Sequence, residues 1–320
     1  MDQLTDFFKS ITLDKEPRNL YEPIYYTLSQ GGKRLRPRLV LMSSKLFGGK
    51  TELALYPAAA FEMLHNFTLI HDDIMDDAPI RRGQPTVYRK WNGNIAILSG
   101  DALATLALQT ILDTPSDPAT ALTLSKLLAR TSVEICEGQQ KDLDFETADH
   151  VSLEDYVNMI RYKTAVLLAG CLKAGAIVAG ASTENQQLIY DFGIHLGLAF
   201  QLKDDLLDVY GDGTVFGKKI GGDIRENKKT YLYLSALQDA DAEQKERLLH
   251  YFSSTDFDDH EKFEAVKAIY DQTGIPRKTE QQIEIYLQKA LDNLENIDIE
   301  DDKKKEPFRD LVRELRQRNK

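Results

Sequence analysis

Apolar residues return every three or four positions along most of this chain, and that spacing constrains the fold more than any other feature. It runs through ALYPAAAFEMLHNFTLIHDD (54–73), ALATLALQTIL (102–112), ATALTLSKLLARTSVEICEG (119–138), QLIYDFGIHLGLAFQLKDDLLDVY (187–210) and KTEQQIEIYLQKALDNLENI (278–297). Such a repeat gathers apolar side chains on one face of an α-helix. Alternating apolar–polar runs long enough for a sheet are missing. Gly, Pro and Asp cluster at 47–50, 77–85, 113–118, 211–223 and 253–259, where the helices are expected to break. None of these breaks reads as a long linker, and no repeat of solenoid length recurs. The expectation is an all-α fold, a single domain over residues 1–320 built as one large helical bundle.

Charge and segment character narrow the partners. A net charge of −11 argues against nucleic acid, whose phosphates want a basic surface. The opening MDQLTDFFKS lacks a basic region followed by an apolar one, so no secretory signal is expected. The most membrane-like stretch, AVLLAGCLKAGAIVAGAS (165–182), is broken by Lys173 and crowded with Ala and Gly. It reads as a close-packed internal helix and not as a span. A cytoplasmic protein is expected. Cys136 and Cys171 fit no metal or disulfide spacing and are expected as small core residues. The charged stretch IDIEDDKKKEP (297–307) is expected as an exposed turn before a short amphipathic helix.

Two acidic clusters stand out, at LIHDDIMDDAPIRRGQ (69–84) and FQLKDDLLDVYGD (200–212). On a helix, residues four apart share a face, about 6 Å apart along the axis. Asp72 and Asp76 would project together with Asp73 beside them, and Asp204 and Asp208 likewise with Asp205. Carboxylates so close repel and call for a cation. Hard oxygens in small number suit Mg²⁺, which keeps waters and is commonly shared with substrate phosphates. Two such faces opposed across a bundle could hold Mg²⁺ around one diphosphate. The cations of this acidic chain gather at GGKRLRPR (31–38), RRG (81–83), RYKT (161–164), GKK (217–219) and NKKT (227–230). Several adjoin Gly, where backbone can approach an anion closely. Carboxylates for metal and Arg or Lys for the remaining phosphate oxygens are what a Mg²⁺-bridged diphosphate requires.

The set GGKRLRP, HNFTLIHDDIMD with RRG, YKT, FQLKDDLLD and GKKIGGDIRENKKT, in this order over residues 20–235, resembles the trans-isoprenyl diphosphate synthases, or polyprenyl synthetases. The resemblance implies an all-α bundle around a deep central cavity, a homodimer, and three Mg²⁺ per site. It implies that an allylic diphosphate ionises, that isopentenyl diphosphate attacks the cation, and that proton loss completes a five-carbon extension. By the same resemblance Asp72, Asp76 and Asp204 are direct metal ligands, with Asp73, Asp205 and Asp208 behind them or bridged by water. Arg81, Lys163, Lys218 and Lys228 clamp the allylic diphosphate, and Thr164 and Gln201 turn their oxygens toward the developing cation. Lys33, Arg36, His65 and Arg82 form the isopentenyl diphosphate site. His65 stands two turns before Asp72 on the same face. His71 and His195 are read as structural.

Product length is expected to depend on the helix leading into the first cluster. Phe67 lies five residues before Asp72, about 7.5 Å along the axis, with Met63 and Leu64 further down and the small Thr68 beside it. One aromatic there with a small neighbour resembles enzymes forming the C20 product geranylgeranyl diphosphate; the C15 farnesyl product is the alternative. A terpene cyclase usually lacks the second Asp-rich cluster, and a non-catalytic subunit of this fold typically degrades one of them. Both remain open as less favoured readings.

Overall fold

The computed structural model describes residues 4, 6–8, 15–32, 34–211, 220–254 and 256–318. Helices form along the stretches of apolar spacing, and others form between them: α1 Arg18–Ser29, α2 Leu35–Leu46, α3 Thr51–Met75, α4 Val87–Lys90, α5 Gly93–Leu112, α6 Pro118–Thr147, α7 Leu153–Ile160, α8 Val166–Val178 and α9 Thr183–Tyr210. The series continues with α10 Gly222–Arg225, α11 Tyr231–Asp239, α12 Ala242–Phe252, α13 Asp259–Gln272, α14 Ile275–Glu295 and α15 Glu306–Gln317. The fold is all-α. Among the described residues the one sheet is a two-residue ladder, β1 Ile80–Arg81 against β2 Gln84–Pro85, inside the expected break at 77–85.

The chain divides into two compact units. The first comprises 1–133, 167–190 and 297–304; the second comprises 134–166, 191–296 and 305–320. In the first, Ala58, Ala59 and Ala60 are fully buried along α3. Their small side chains let α2 and α5 pack closely on that helix. The helix α8 is packed more tightly still. A Cβ on Gly175 would stand 2.2 Å from the Val40 carbonyl oxygen, and one on Gly170 would stand 2.8 Å from the Phe61 ring. Ser43 Oγ donates to the Leu172 carbonyl across the same seam at 2.6 Å. The internal packing expected of 165–182 is therefore present.

In the second unit two helices start on capping boxes. Ser152 with Asp155 and Asp241 with Gln244 form reciprocal capping boxes for α7 and α12. Phe192 of α9 meets Phe308 of α15 edge to face at 5.7 Å. Between α7 and α8 the helix widens into a π turn, Arg161–Ala165. Two glycines make room for it. A Cβ on Gly138 would lie 2.2 Å from the Lys163 backbone nitrogen, and one on Gly197 would lie 2.5 Å from Ala165 Cα.

Three expectations are corrected. Cys171 is buried but Cys136 is exposed, because its position on α6 faces water while Ile135 beside it turns inward. The stretch 297–307 is not wholly exposed. Ile297 is buried, and Lys305 is buried with its Nζ on the Glu295 carbonyl at 3.0 Å, capping the end of α14. Among the described residues the helix long and apolar enough to cross a membrane is α5, mean hydropathy 1.7, and not 165–182. Apolar on nearly every side, α5 buries Ala96, Leu103, Ala107 and Ile111, while Leu98 and Leu112 are exposed.

The glycine contacts give a test. Gly197→Ala must push against backbone and not against a flexible side-chain end, so it should cost about 1–3 kcal/mol. Its thermal midpoint should fall, whereas Gly180→Ala, where nothing lies within 4 Å, meets no such crowding and pays only for its left-handed φ of 75°. A midpoint for Gly197→Ala equal to that of the unaltered protein would show that the π turn yields without cost.

Candidate active site

The helix α3 runs unbroken to Met75, and the N–H of Asp76 still bonds to the Asp72 carbonyl at 2.8 Å. Asp72 is half-buried, Asp73 buried and Asp76 exposed. Arg81 Nε donates to Asp73 Oδ1 at 2.7 Å. Burial nevertheless lifts the Asp73 carboxyl above its ordinary range, with Arg81 opposing the rise. The tight turn after Arg81 puts Arg82 at φ 53°, and its Nη1 reaches the Gly31 carbonyl at 2.8 Å. Gly32 lies against the same guanidinium, where a Cβ would stand 3.3 Å from Cζ. The GGKRLRP loop and the RRG turn thus meet.

His65 belongs to this group. Burial first, and then the charges of Arg36, Arg82 and Arg81, hold its imidazole well below the usual pKa, so it is neutral at pH 7. Glu62, one turn earlier, is 3 % exposed and its charge supports that of Arg82. Its Oε2 has no hydrogen-bond partner among the described residues. The first unit therefore brings together Arg36, His65, Arg81, Arg82 and Asp73. Lys33 lies outside the described residues, as does Lys218.

Further along α3, the Phe67 ring meets His71 edge to face at 4.8 Å. His71 is fixed by the Ile97 carbonyl at 3.2 Å. Thr68 Oγ1 donates back to the His65 carbonyl at 2.8 Å. Met63 and Leu64 are fully buried.

The second unit gathers the other set. Lys163 Nζ pairs with Asp142, and Thr164 Oγ1 donates to Gln201 Oε1 at 3.0 Å. Both residues sit in the π turn, an irregularity that is frequent at functional sites. Gln201 Nε2 continues the chain to Asp205 Oδ1 at 3.0 Å, and the Tyr156 hydroxyl donates to Asp205 Oδ2. Burial, reinforced by Asp223, pushes the Asp205 carboxyl up to about 8. Asp208 accepts from the backbone N–H groups of Gly222 and Asp223, at 3.2 and 3.0 Å, at the start of α10. Lys228 pairs with Glu226 at 3.0 Å and bears on Asp208. Asp204 is half-buried and bonded to Arg318.

Among the described residues no three His, Cys, Asp or Glu side chains converge as a closed ligand set. Asp72 and Asp204 are half-buried and Asp76 exposed, and their hard carboxylate oxygens are of the kind that suits a divalent cation.

The polyprenyl synthetase profile matches residues 17–270 and runs through both units. The chain belongs to the polyprenyl synthetase family. Its sequence is 42% identical over 242 residues to a geranylgeranyl diphosphate synthase of Sulfolobus acidocaldarius, covering 74% of this chain and 72% of that protein. A geranylfarnesyl diphosphate synthase of Natronomonas pharaonis is 38% identical over 238 residues, covering 69% of this chain and 70% of its own. A crystal structure of a geranylgeranyl pyrophosphate synthase superposes with a TM-score of 0.92 at 45% identity, covering 100% of this chain and 99% of that one.

Reading the family motifs alone missed Asp142, Tyr156, Glu62 and Arg318. Each acts on a motif residue from a distant place in the sequence, and none carries a spacing signal of its own. The glycines at 138 and 197 were legible only as small residues in helices.

Asp205 yields a pH prediction. The usual carboxylate pKa is about 3.9, so from about pH 4 to pH 8 the unfolded chain has released this proton and the folded chain keeps it. Stability from this group is thus lost as pH rises, by up to about 1.4 kcal/mol per pH unit. Asp205→Asn abolishes the titration and keeps an acceptor for Tyr156. In EDTA its thermal midpoint should decline less between about pH 5 and pH 8. Parallel curves for the two proteins would show that Asp205 is ionised in the native state.

Proposed function

We propose that this polyprenyl synthetase joins isopentenyl diphosphate to an allylic diphosphate and that its main product is C20 geranylgeranyl diphosphate. The observation that carries the reading is the pairing of two intact acidic clusters with two separate sets of cations. Arg81 and Arg82 act on Asp73 of the first cluster, with Arg36 and His65 beside them, and Lys228 bears on Asp208 of the second, whose unit also carries Lys163. A regulatory subunit has no need of both, and a cyclase takes no second diphosphate. The whole chain, both units together, is read as one catalytic domain.

Asp72, Asp76 and Asp204 are proposed to hold Mg²⁺, and their hard oxygens suit that ion. When bound, Mg²⁺ supplies positive charge to the departing diphosphate. Arg81, Lys163 and Lys228, with Lys218 by resemblance, neutralise the diphosphate oxygens as the allylic bond breaks. Thr164 and Gln201 are already ordered by their mutual hydrogen bond. Their oxygens can therefore face the allylic cation without reorganising. Arg36, Arg82 and Lys33 hold isopentenyl diphosphate, with neutral His65 as a hydrogen-bonding group. No side chain is placed as the base; the released diphosphate takes the proton. Two copies are proposed to pair through the exposed apolar side of α5, where Ile97, Leu98, Leu108 and Leu112 face outward.

The assay is radiolabelled isopentenyl diphosphate with geranyl diphosphate and Mg²⁺, followed by chromatography of the dephosphorylated products. An extractable C20 product is expected. Asp72→Ala and Asp204→Ala should each lower kcat on the order of 10³-fold, with the circular dichroism unchanged. Near-normal turnover in either folded variant removes that residue from the metal site.

Product length follows from α3. The unbroken helix from Thr51 to Met75 is consistent with this, since the Phe67 backbone lies about 7.5 Å before that of Asp72 along the axis. Phe67→Ala should open this level to a longer tail and shift the products to C25 and beyond. An unaltered distribution from an active Phe67→Ala enzyme would mean that another side chain stops the growing chain.

A further inference from the structure

The amphipathic helix α15 buries Phe308, Leu311, Val312 and Leu315. Phe308 packs on Phe192 of α9, the helix that carries Asp204. On its outer side Arg309 Nη2 bonds to Glu295 at 2.7 Å, and Arg316 Nε bonds to Glu284 at 2.9 Å, both on α14. The end of α15 is therefore held from two directions within one unit. The backbone then leaves the helix at Arg318, with φ −65° and ψ 112°. Its side chain is 18% exposed, lies over the Phe200 ring at 4.9 Å, and bonds to Asp204 Oδ1. Phe200 stands one turn before Asp204 on α9, so one helical face offers both the ring and the carboxylate. Arg309, Arg313 and Arg316 pair with acidic residues elsewhere, on Glu295, Glu306, Asp310 and Glu284.

We propose that Arg318 is a built-in counter-cation of the second acidic cluster, holding Asp204 until a metal–diphosphate complex takes its place. Arg318 is thus a positioning residue, and the proposal rests on the reading of Asp204 as a metal ligand. A guanidinium forms a charge-assisted bond to one carboxylate oxygen and stacks on an aromatic face, which an ammonium does less well. A hydrated divalent ion arriving alone has to displace that bond. Arriving with diphosphate, it brings further ligands that compensate the displacement. Arg318 thereby suppresses metal binding at Asp204 in the absence of substrate and ties metal entry to diphosphate arrival.

The test is Mn²⁺ binding to the substrate-free protein, with free Mn²⁺ counted by electron paramagnetic resonance. Arg318→Ala should tighten binding on the order of fivefold. Arg316→Ala removes the same charge from the end of α15 without touching Asp204, and should leave Mn²⁺ affinity unchanged. Asp204→Asn should weaken binding, and Arg318→Ala added to it should produce no further gain. Adding inorganic diphosphate should narrow the difference between Arg318→Ala and the unaltered protein. An unchanged affinity in Arg318→Ala, with Asp204→Asn still weakening Mn²⁺ binding, overturns the proposal and leaves the metal reading standing. An equal gain in Arg316→Ala, or a gain that survives in Asp204→Asn, reduces the effect to general charge and overturns it as well. If Asp204→Asn binds Mn²⁺ as tightly as the unaltered protein, the metal reading itself fails and the proposal falls with it.

Discussion

Repulsion between neighbouring carboxylates is the constraint that organises this protein. Two unit charges 4 Å apart interact by about 4 kcal/mol near a protein surface, and each cluster sets three carboxyl groups within two helical turns. The structure meets the cost differently at each one. Asp73 has the Arg81 guanidinium, and Asp204 has that of Arg318. Asp208 has two backbone N–H groups. Asp205, buried beside Tyr156 and Gln201, is relieved by keeping its proton. Asp76 is left facing water. Asp73, Asp205 and Asp208 are therefore committed to partners inside the fold, and on the proposed function a cation comes to Asp72, Asp76 and, in exchange for Arg318, Asp204.

Fixed partners require fixed backbones, and here small residues decide the outcome. In the second unit the π turn 161–165 fits only because Gly138 and Gly197 lack side chains where it presses on α6 and α9. That close approach sets Lys163 against Asp142 and Thr164 against Gln201. A methyl group at either glycine would act on the site through the backbone, without touching a polar atom. In the first unit Gly32 lies instead against the guanidinium of Arg82, where a Cβ would stand 3.3 Å from Cζ. The polar groups that do the chemistry are few, but their placement depends on what is absent beside them.

Much of this was legible in the sequence. The helices from 54 to 73, 102 to 112, 119 to 138 and 187 to 210 follow directly from apolar spacing, and the breaks at 47–50, 77–85 and 113–118 from Gly, Pro and Asp, while most of the expected break at 211–223 lies outside the described residues. The acidic clusters and their cations announced themselves by local pattern. What was not legible shares one physical cause: it depends on pairs remote in sequence. Nothing near Asp204 signals Arg318, more than a hundred residues away, and nothing near Lys163 signals Asp142. Reading a charge run as solvated surface misjudged Lys305, whose long stem is buried while its ammonium caps a carbonyl. Cys136 failed for the opposite reason, since an apolar neighbourhood in sequence says little about which way one side chain faces.

The state of His65 bears on how the two diphosphates are told apart. Three guanidinium groups already act on its ring, so a proton there would add a fourth positive charge to a buried cluster. Kept neutral, the imidazole can contribute one oriented hydrogen bond and no net charge, and its state does not change near neutral pH. Glu62, buried one turn away, offsets part of the positive charge on Arg82. On the proposed function, the isopentenyl site then binds diphosphate through permanently charged Arg and Lys groups and a neutral His, with no metal ligand among them. The allylic site instead combines carboxylates, metal and Lys or Arg. That difference matches the chemistry, because only the allylic diphosphate has to leave, and only there is concentrated divalent charge an advantage. A site of fixed monovalent charges binds the other diphosphate without promoting its departure.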